Sequence, residues 1–427
     1  MALMLADVTN ILKTEYLPKM QKTIKAEGTV TGLIESRGQK ETNVPYEFVK
    51  TFQIGLSEGG GMRSYDAQLP TAGRTKYAKF TGTCKHYYHV IKLYKGIISL
   101  MKTDKQAFID AISAEMDGAA EAVKLNLERM NFGDGGLTQL ATVSAAADAG
   151  SQVMKLTVDD TRFLRPGMRI DLLEANDHSE ITNGTSLEIS SVDVDNNHVY
   201  VTAGVTGDDY NTLLTAVADA LIYHEDGYNA EFDGFGKLVR DLTSTVLGIN
   251  RTTAANAWAR PHVYRKKSTG AGIEIGAATG TAQDWEITDI RKPVRDLMNR
   301  WHADKKGLLC FATTELAEYY ARLWAAEGGY HEEKSKVDGW PYDSYAISGV
   351  PIIEALFAPK NGIDIVYMPD VVTFENQPLD WEDMDGNMWK WVSNYDAYTA
   401  YMSLRKQLGH YSPYKCAHVG DLKDMDD

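Results

Sequence analysis

The hydrophobic period of this sequence changes at Thr103, and this change constrains the fold more than any other feature. Before it, residues 45–102 are rich in β-branched and aromatic residues and partly alternate apolar with polar, which is typical of strands. After it, apolar residues recur at helical spacing up to Met130. This spacing predicts one helix of about 28 residues, roughly 42 Å long at about 1.5 Å per residue. We expect a mixed α+β fold in which the long helix is a spine that braces several elements.

The predicted spine helix has one apolar face. Its members are Phe108, Ile112, Met116, Ala119, Val123, Leu127 and Met130. Steps of three and four residues place these side chains on the same side of a helix, so they are the candidate core contacts of the spine.

A glycine-rich stretch, SEGGGMRSYDAQLPTAGRTKY at residues 57–77, separates the two strands predicted before the helix. Three glycines and an arginine stand together in it: Gly59, Gly60, Gly61 and Arg63. They could form a phosphate cradle or the tip of an extended hairpin. A phosphate loop ends in Gly-Lys-Ser/Thr and is followed by a helix. This stretch lacks that ending, and no helix is clearly predicted after it. The sequence therefore favours a flexible hairpin tip, with Pro70 and Gly73 shaping the return.

The segment Ala67–Thr103 contains no acidic residue, although the whole chain has a net charge of −15. Its basic residues are Arg74, Lys76, Lys79, Lys85, Lys92, Lys95 and Lys102. This local reversal predicts a docking surface for an acidic partner, including another copy of the same chain. The overall acidity argues against a simple basic nucleic-acid binder and a membrane-surface protein, because both depend on positive charge.

The length of 427 residues predicts two or more domains, and a hydrophobic content of 44% can fill a sizeable core. The three cysteines are odd in number and widely spaced, so we expect neither a disulfide framework nor a metal knuckle. The first residues lack the pattern of a signal peptide. No run of about 18 apolar residues occurs, so no membrane span is expected.

The chain after the helix divides into a β-rich part and a mixed part. SAAADAGS, at residues 144–151, has the composition of a linker. Short strands with turn residues between them continue to about residue 230 and predict a small barrel or sandwich. Beyond it, apolar strands and helical segments alternate, and the last part of the chain predicts long strands.

Candidate sites for chemistry are few, and each has a simpler interpretation. DVDNNH, from Asp193, resembles the start of a calcium loop, but His198 and Gly204 stand where glycine and glutamate are required. A tight hairpin turn is favoured there. His86 and His89 fall on opposite faces of a strand and cannot chelate one metal as a simple pair. We therefore assign no catalytic residue, no metal site and no cofactor.

The order of the predicted parts resembles that of one protein family. An arm, a long hairpin with a glycine-rich tip, a long helix, a β insertion, a mixed domain and returning strands follow one another as in the major capsid proteins of tailed double-stranded DNA bacteriophages, which have the Hong Kong 97-like fold. FLRPGMRIDLL, GFGKLVRDLTSTVLGINRTTAANAWARP and ISGVPIIEA are similar to segments of that family. The positions that match its pattern are Gly248, Ile249, Arg251, Trp258, Gly349 and Pro351.

The resemblance implies a domain organisation. It assigns an N-terminal arm to residues 1–44, an E-loop hairpin to 45–102, the spine helix of a peripheral (P) domain to 103–137, a β-rich insertion domain to 138–230, a continuation of the P domain to 231–285, an α/β axial (A) domain to 286–378, and returning P-domain strands with the C-terminus to 379–427. It also implies that the E-loop lies over a neighbouring subunit. The contacts expected there are Gly59, Gly60, Gly61, Arg63, Pro70, Arg74, Lys76 and Lys79.

The function that the resemblance implies is that of a coat protein and not of an enzyme. Copies would form pentamers and hexamers of an icosahedral head, which encloses double-stranded DNA without sequence-specific binding and without a membrane. Assembly would take place in the host cytoplasm and the product would be the virion. Fewer than fifty residues precede the hairpin, which leaves no room for a long N-terminal scaffolding region, so a separate scaffolding protein is expected. A portal is a further partner, and a decoration or cement protein is left open.

Two alternatives remain at this point. One is a cellular nanocompartment shell of the same fold, although such relatives are usually shorter and lack the β insertion. The other is a carbohydrate-binding or glycan-hydrolysing protein that uses Trp381, Trp389, Trp391 and the acids near them. A hairpin at Asp385-Gly386 explains the same segment more simply.

Overall fold

The computed structural model describes residues 16–425 except 26–28, 95–104, 327–333, 336, 338–339, 342–343, 384–387 and 392–396, and gives only the backbone at 93, 105–113, 334 and 335. The described residues fall into two compact units. The first comprises residues 16–124, 237–354 and 358–425, and the second comprises residues 125–236 and 355–357. No helix within these described ranges is long and apolar enough to cross a membrane.

The described residues form one long helix, several shorter helices and many short strands. The α-helices are α1 Leu17–Ile24, α2 Val30–Arg37, α3 Lys105–Phe132, α4 Asp208–Ala216, α5 Ile287–Trp301 and α6 Thr314–Ala326. The strands are β1 Gln39–Thr42, β2 Glu47–Gly55, β3 Lys76–Thr83, β4 Lys85–Tyr94, β5 Ala141–Asp148, β6 Val153–Val158, β7 Arg169–Leu173, β8 Leu187–Asp193, β9 His198–Thr202, β10 Leu221–His224, β11 Thr245–Val246, β12 Ile249–Asn250, β13 His262–Lys266, β14 Ile273–Ile275, β15 Leu308–Ala312, β16 Lys334–Ser335, β17 Ser344–Ile347, β18 Val350–Glu354, β19 Ile363–Tyr367, β20 Val371–Trp381, β21 Lys390–Trp391, β22 Ala397–His410 and β23 Ala417–Gly420.

One sheet of the first unit is built around its two longest strands, β20 and β22. They are antiparallel, with Val371 opposite His410. β1 adds to β20 in parallel, β4 pairs with β22 over ten positions, and β21 pairs near the start of β22. Segments from opposite parts of the sequence therefore meet in one sheet.

The second sheet of this unit has eight strands in the order β14–β13–β23–β19–β15–β18–β17–β16. Every residue of β15 is buried, as expected for a strand that is covered on both faces. Ile290 and Val294 of α5 and Leu316 of α6 belong to the same core. The sheet extends beyond the 286–378 range assigned from the sequence, because β13, β14 and β23 pair with it.

The second unit contains a closed barrel in which β10, β5, β6, β9, β8 and β7 follow one another. Alternation along β6 places Met154, Leu156 and Val158 in the interior. Tyr210 and Leu213 of α4 join the same core. Because the ring closes, the barrel has no open sheet edge that could pair with another chain.

The linker predicted at residues 144–151 is wrong for most of its length. β5 runs through Asp148, and its residues from Ala145 onward pair with β6. Its small residues carry little strand propensity, so pairing with a neighbouring strand decides the structure. The hairpin turn predicted in DVDNNH is confirmed, since Asp193 at the end of β8 lies opposite His198 at the start of β9.

The predicted long helix is confirmed as α3, which has 28 residues. Met116, Val123 and Leu127 are buried as the helical spacing requires. The side chains of Phe108 and Ile112 lie outside the described part of the structure. Whether α3 acts as the spine of a capsid domain stays a prediction.

The segment before the hairpin is docked on its own chain in the described residues. This segment contains the helices α1 and α2 and the strand β1. Met20 and Ile24 of α1 and Leu33 of α2 are buried. Gln21 donates a hydrogen bond to the carbonyl of Leu379, so α1 is tied to the end of β20.

Candidate intersubunit interface

The candidate interface is the antiparallel hairpin of β2 and β3, which forms a two-stranded sheet of its own. Glu47 lies opposite Thr83 at its base and Gly55 opposite Lys76 at its far end. The register shifts between Gln53 and Gly55, which makes Ile54 the extra residue of a bulge. The extended hairpin that the sequence predicts is therefore present.

The two faces of the hairpin differ. The inner face includes Phe48, Phe52 and Phe80, of which Phe48 and Phe80 are buried. The outer face consists of residues that are all exposed: Glu47, Val49, Thr51, Gln53, Tyr77, Lys79, Thr81 and Thr83. In the described residues the hairpin thus has one packed face and one that is open to solvent.

The loop between the strands, residues 56–75, has no helix or strand. The chain reverses at Ser64–Ala67, where the N–H of Ala67 donates to the carbonyl of Ser64 at 3.1 Å. The prediction that the glycine triplet is the tip, and that Pro70 and Gly73 make the return, is therefore wrong in detail. No helix opens after the glycines, which agrees with the rejection of a phosphate loop.

Two glycines, Gly59 and Gly73, allow the two arms of the loop to lie close together. A Cβ on Gly59 would lie 2.6 Å from the nitrogen of Gly73, and a Cβ on Gly73 would lie 2.6 Å from the carbonyl carbon of Glu58. Only glycine fits at such backbone contacts. A Cβ on Gly60 would have no atom within 4 Å, and a Cβ on Gly61 would have only Pro70, at 4.0 Å. The two arms of the loop are therefore close together at Gly59 and Gly73, ahead of the chain reversal at Ser64–Ala67. This narrow part of the loop is called the neck.

Exposed apolar side chains are concentrated on this part of the chain. Of 18 large hydrophobic residues that are exposed among the described residues, ten lie between residues 46 and 94. They are Tyr46, Val49, Leu56, Met62, Tyr65, Leu69, Tyr77, Tyr88, Val90 and Tyr94. Such a concentration is typical of an interaction surface.

The basic residues of the hairpin and its loop accompany these apolar groups. Arg63, Arg74, Lys76 and Lys79 are exposed, and none of them forms an ion pair within the described ranges. Lys95 and Lys102 lie outside the described residues. The predicted cationic surface is therefore open at Arg74, Lys76 and Lys79, whereas Lys85 and Lys92 lie on β4 and are partly buried. Its contact with a neighbouring subunit stays a prediction.

The base of the hairpin is anchored by aromatic rings. Phe48 packs on Phe374 of β20 with 4.4 Å between ring centroids. Phe52 packs on Phe80 at 4.1 Å and on Trp258 at 5.4 Å, and Tyr411 stacks on Phe80 at 6.0 Å. These contacts run along the hairpin from Phe48 to Phe52, and the last residues of the strands and the loop lie beyond them.

A second anchor is the turn between β11 and β12. The carbonyl of Leu247 accepts the N–H of Thr81 at 2.9 Å. Gly248 has a φ of +76°, and a Cβ there would lie 1.9 Å from Oγ1 of Thr81. Both the left-handed backbone and the close approach require glycine at this position.

Arg251 stabilises the backbone next to the β11–β12 turn. Its side chain is buried, and its guanidinium donates to the carbonyls of Lys237, Leu238 and Asp241 at 2.6–2.9 Å. These carbonyls belong to a π-helical turn, Gly236–Arg240, and the residue after it. Three of the family-pattern positions, Gly248, Arg251 and Trp258, therefore lie near the hairpin. Their contacts there explain why these residue types are needed at these positions.

Ile249 is buried in β12, and the last two family-pattern positions, Gly349 and Pro351, lie in the eight-stranded sheet. Ser348 and Gly349 form the two-residue turn between β17 and β18, and both have positive φ, 52° and 75°. This is the conformation that a tight β-hairpin favours. Pro351 is buried in β18 opposite Ala346.

A buried Cys–His pair is a feature that the sequence analysis missed. Sγ of Cys416 lies 3.2 Å from Nε2 of His410, and both side chains are buried. Burial raises the pKa of Cys416 to about 12 and lowers the pKa of His410 to about 4. Neither shift favours an activated thiolate, and Nε2 of His410 already donates to the carbonyl of Tyr367 at 2.9 Å. The pair is therefore structural.

A buried carboxylate network was also missed. Asp364 of β19 is fully buried, accepts two side-chain hydrogen bonds from Arg240 at 2.8–3.1 Å, and lies 2.8 Å from Nδ1 of His418 on β23. Burial works against ionisation, but Arg240 and His418 together hold the pKa of Asp364 below its usual value. The network joins β19 and β23 to the π-helical turn.

The structure leaves little support for a sugar site. Trp381 and Trp389 are buried, and only Trp391 is exposed, with its ring against Tyr398. Asp385 and Gly386 lie outside the described residues. Among the residues that can be placed, no group of three or more His, Cys, Asp or Glu side chains could hold a metal ion.

Comparison with known proteins shows the fold. No family model matches the chain, and no curated protein is similar to it in sequence. Among solved structures, the chain is similar to the Cyanophage A-1(L) capsid over 93% of both chains, with 12% identity and a TM-score of 0.52. It also aligns with the capsid of a native GTA particle (11% identity, 91% and 90% covered, TM-score 0.43) and with the SrpI encapsulin complex from Synechococcus elongatus (9%, 94% and 90%, 0.43).

The fold is thus one of virus shells. Specifically, this chain has the fold of a phage capsid protein, as the order of its sequence parts predicts.

Proposed function

We propose that this chain is the major capsid protein of a tailed phage. It would assemble into pentamers and hexamers of an icosahedral head around double-stranded DNA, in the host cytoplasm. The hairpin would be the E-loop, α3 the spine of the P domain, the eight-stranded sheet the centre of the A domain and the barrel an insertion. A separate scaffolding protein and a portal would take part, and a decoration protein stays an option.

The observation that carries this proposal is the exposed hairpin. Six large apolar side chains of the hairpin and its loop are exposed beside cations that form no ion pair in the described residues: Val49, Leu56, Met62, Tyr65, Leu69 and Tyr77. An exposed apolar surface of this kind is typical of a contact with a partner and is not needed by a lone monomer. A shell of identical subunits, by contrast, requires large heterologous contacts, in which one surface of a copy meets a different surface of the next. A projecting hairpin provides such a surface.

The acidity of the chain fits the same proposal. The net charge of −15 disfavours tight adhesion of a DNA genome that must be packed and released. Such a container would enclose nucleic acid without gripping it.

Electron microscopy of the purified protein tests the proposal directly. We expect shells or uniform capsomers, and a monodisperse monomer under all assembly conditions would overturn it. Nuclease-resistant double-stranded DNA inside particles made in cells would distinguish a phage head from a protein-filled nanocompartment.

A charge-reversal variant tests the role of the hairpin. Changing Arg74, Lys76 and Lys79 to Glu should leave a folded subunit that no longer assembles. A matched control changes three exposed lysines of the first unit, Lys292, Lys305 and Lys306, to Glu, which alters the net charge equally. Normal shells from the hairpin variant would contradict its role in assembly, and equal loss in both variants would show a general charge effect.

A further inference from the structure

The charge of the chain is unevenly distributed between its parts. Residues 138–230, which contain the barrel, carry 15 Asp and Glu against four Lys and Arg, a net charge of −11. Since the whole chain carries −15, all other residues together carry only −4. Residues 138–230 therefore carry a higher density of net negative charge than the rest of the chain taken together.

The carboxylates of the barrel face solvent. All 15 except Asp171 are exposed or partly exposed. Intramolecular ion pairs account for few of them: Asp160 pairs with Arg162, and Glu225 lies 3.7 Å from Arg169. Among the exposed acids that form no ion pair in the described residues are Glu174, Glu188, Asp195, Asp208, Asp209 and Asp219.

The outer face of the hairpin has the opposite character. Residues 47–83, the hairpin with its loop, contain five basic residues against Glu47, Glu58 and Asp66, a net charge of +2. Lys79 projects from the outer face between exposed Tyr77 and Thr81, and Lys76 stands at its far end. Apart from Thr81, which lies against Gly248, this face offers Lys76 and Lys79 beside exposed apolar side chains such as Val49 and Tyr77.

We infer that the outer face of the hairpin docks on the acidic barrel of a neighbouring copy of this chain. The inference rests on the proposed assembly function and names the partner surface. In a shell built from one chain, the surface that receives the hairpin belongs to the same sequence, and opposite charges favour that pairing over others. Hairpin-to-hairpin contact brings like charges together. The residues outside 47–83 and 138–230 carry a net charge of −6 spread over 297 residues, against −11 over the 93 residues of 138–230.

The geometry of the barrel suits a receiving surface. Its ring of strands is closed, so it cannot accept the hairpin as an added strand. Contact must then be made by side chains, with carboxylates on the barrel meeting Lys76 and Lys79. Exposed ion pairs of this kind weaken with salt, because screening acts over about 8–10 Å at physiological ionic strength.

Zero-length cross-linking of assembled particles tests the inference. A carbodiimide joins a lysine amine to a carboxylate only when the two touch, and it takes up the water lost as the amide forms. Particles assembled from equal amounts of light and isotopically heavy chains distinguish contacts between copies from contacts within one. We expect mixed light–heavy peptides that join Lys76 or Lys79 to acids of residues 138–230.

A conservative variant provides the control. Lys76→Arg with Lys79→Arg keeps the charge but removes the reactive amines, so it should assemble normally and lose these cross-linked peptides. Particles in which both lysines link only to acids outside 138–230, only within one copy, or to no acid at all would overturn the inference and leave the shell function standing. Absence of particles from the unmodified chain would instead refute the proposed function itself.

Discussion

His410 should make the subunit unstable in acid, and the size of the effect follows from its surroundings. The side chain is 2% exposed at the end of β22. Its Nε2 donates to the carbonyl of Tyr367 at 2.9 Å, and its Nδ1 accepts the N–H of Ser412 at 3.1 Å. Both ring nitrogens are thus used by the neutral form. Burial lowers the pKa of His410 to about 4, and the positive charges of Lys415 and Arg251 act in the same direction, against Asp370.

The sign of the pH effect follows from proton uptake. In the unfolded chain a histidine has a pKa of about 6.5, so it takes up a proton below that pH, whereas folded His410 stays neutral until about pH 4. Stability is therefore fully present above about pH 6.5 and is lost as the pH falls towards 4. At about 1.36 kcal/mol per pKa unit, the difference of about 2.5 units corresponds to about 3.4 kcal/mol in total.

The substitution His410→Gln tests this reasoning. A glutamine amide can donate to Tyr367 and accept from Ser412 but does not titrate, so we expect a cost of about 1–2 kcal/mol at pH 7.5 from imperfect geometry. Between pH 7.5 and 4.5, the free energy of unfolding of the variant should fall by about 2.5 kcal/mol less than that of the original chain. Other buried histidines contribute equally to both proteins and cancel.

Urea unfolding of unassembled subunits, followed by tryptophan fluorescence at a series of pH values, measures this difference. The urea dependence should be the same for both proteins, which shows that the same structure unfolds. Parallel curves of unfolding free energy against pH for the two proteins would refute the reasoning.

Three further predictions concern particular contacts. Gly59→Ala should impair assembly without changing the urea midpoint, because its Cβ meets the opposite arm of the loop, whereas Gly60→Ala, with open space around it, should assemble normally; equal behaviour would contradict the neck. Gly248→Ala should destabilise the subunit by about 1–3 kcal/mol in urea unfolding, through its positive φ and the clash with the hairpin; an unchanged midpoint would contradict that anchor. Glu231→Gln should cost about 3–5 kcal/mol in the second unit, because it leaves the buried guanidinium of Arg129 without its carboxylate. Hydrogen exchange of the barrel amides measures this last change, and undiminished protection would contradict it.

The sequence predicted the parts of the fold that depend on local periodicity. α3 follows from apolar residues at helical spacing over its whole length, and the hairpin follows from two alternating segments around glycines. The end of β5 could not be predicted, because its alanines favour no strand until β6 lies beside them. β1 was not predicted for the same reason: its polar residues form a strand only by pairing with β20, more than 300 positions later.

The candidate interface was predicted in outline but not in its anchors. The charge reversal of residues 67–103 and the glycines pointed to the hairpin, while the reversal at Ser64–Ala67 carries no strong turn signal. The contact of Thr81 with Leu247 and the pair of Cys416 with His410 depend on tertiary packing that no local pattern encodes. Gly248, Arg251 and Trp258 were found only through resemblance to a family, and the structure supplies their physical reasons.

The anchoring of the hairpin on Phe374 has a consequence for synthesis of the chain in the cell. Phe374 follows the end of the hairpin, Thr83, by 291 residues. At a translation rate of about 5–20 residues per second, about 15–60 s therefore pass between synthesis of the hairpin and synthesis of Phe374, on which its aromatic face packs. The barrel, whose strands are contiguous from residue 141 to 224, can close long before then. A nascent chain with an early closed module and a late, exposed aromatic hairpin is a natural client for chaperones that bind apolar segments at the ribosome.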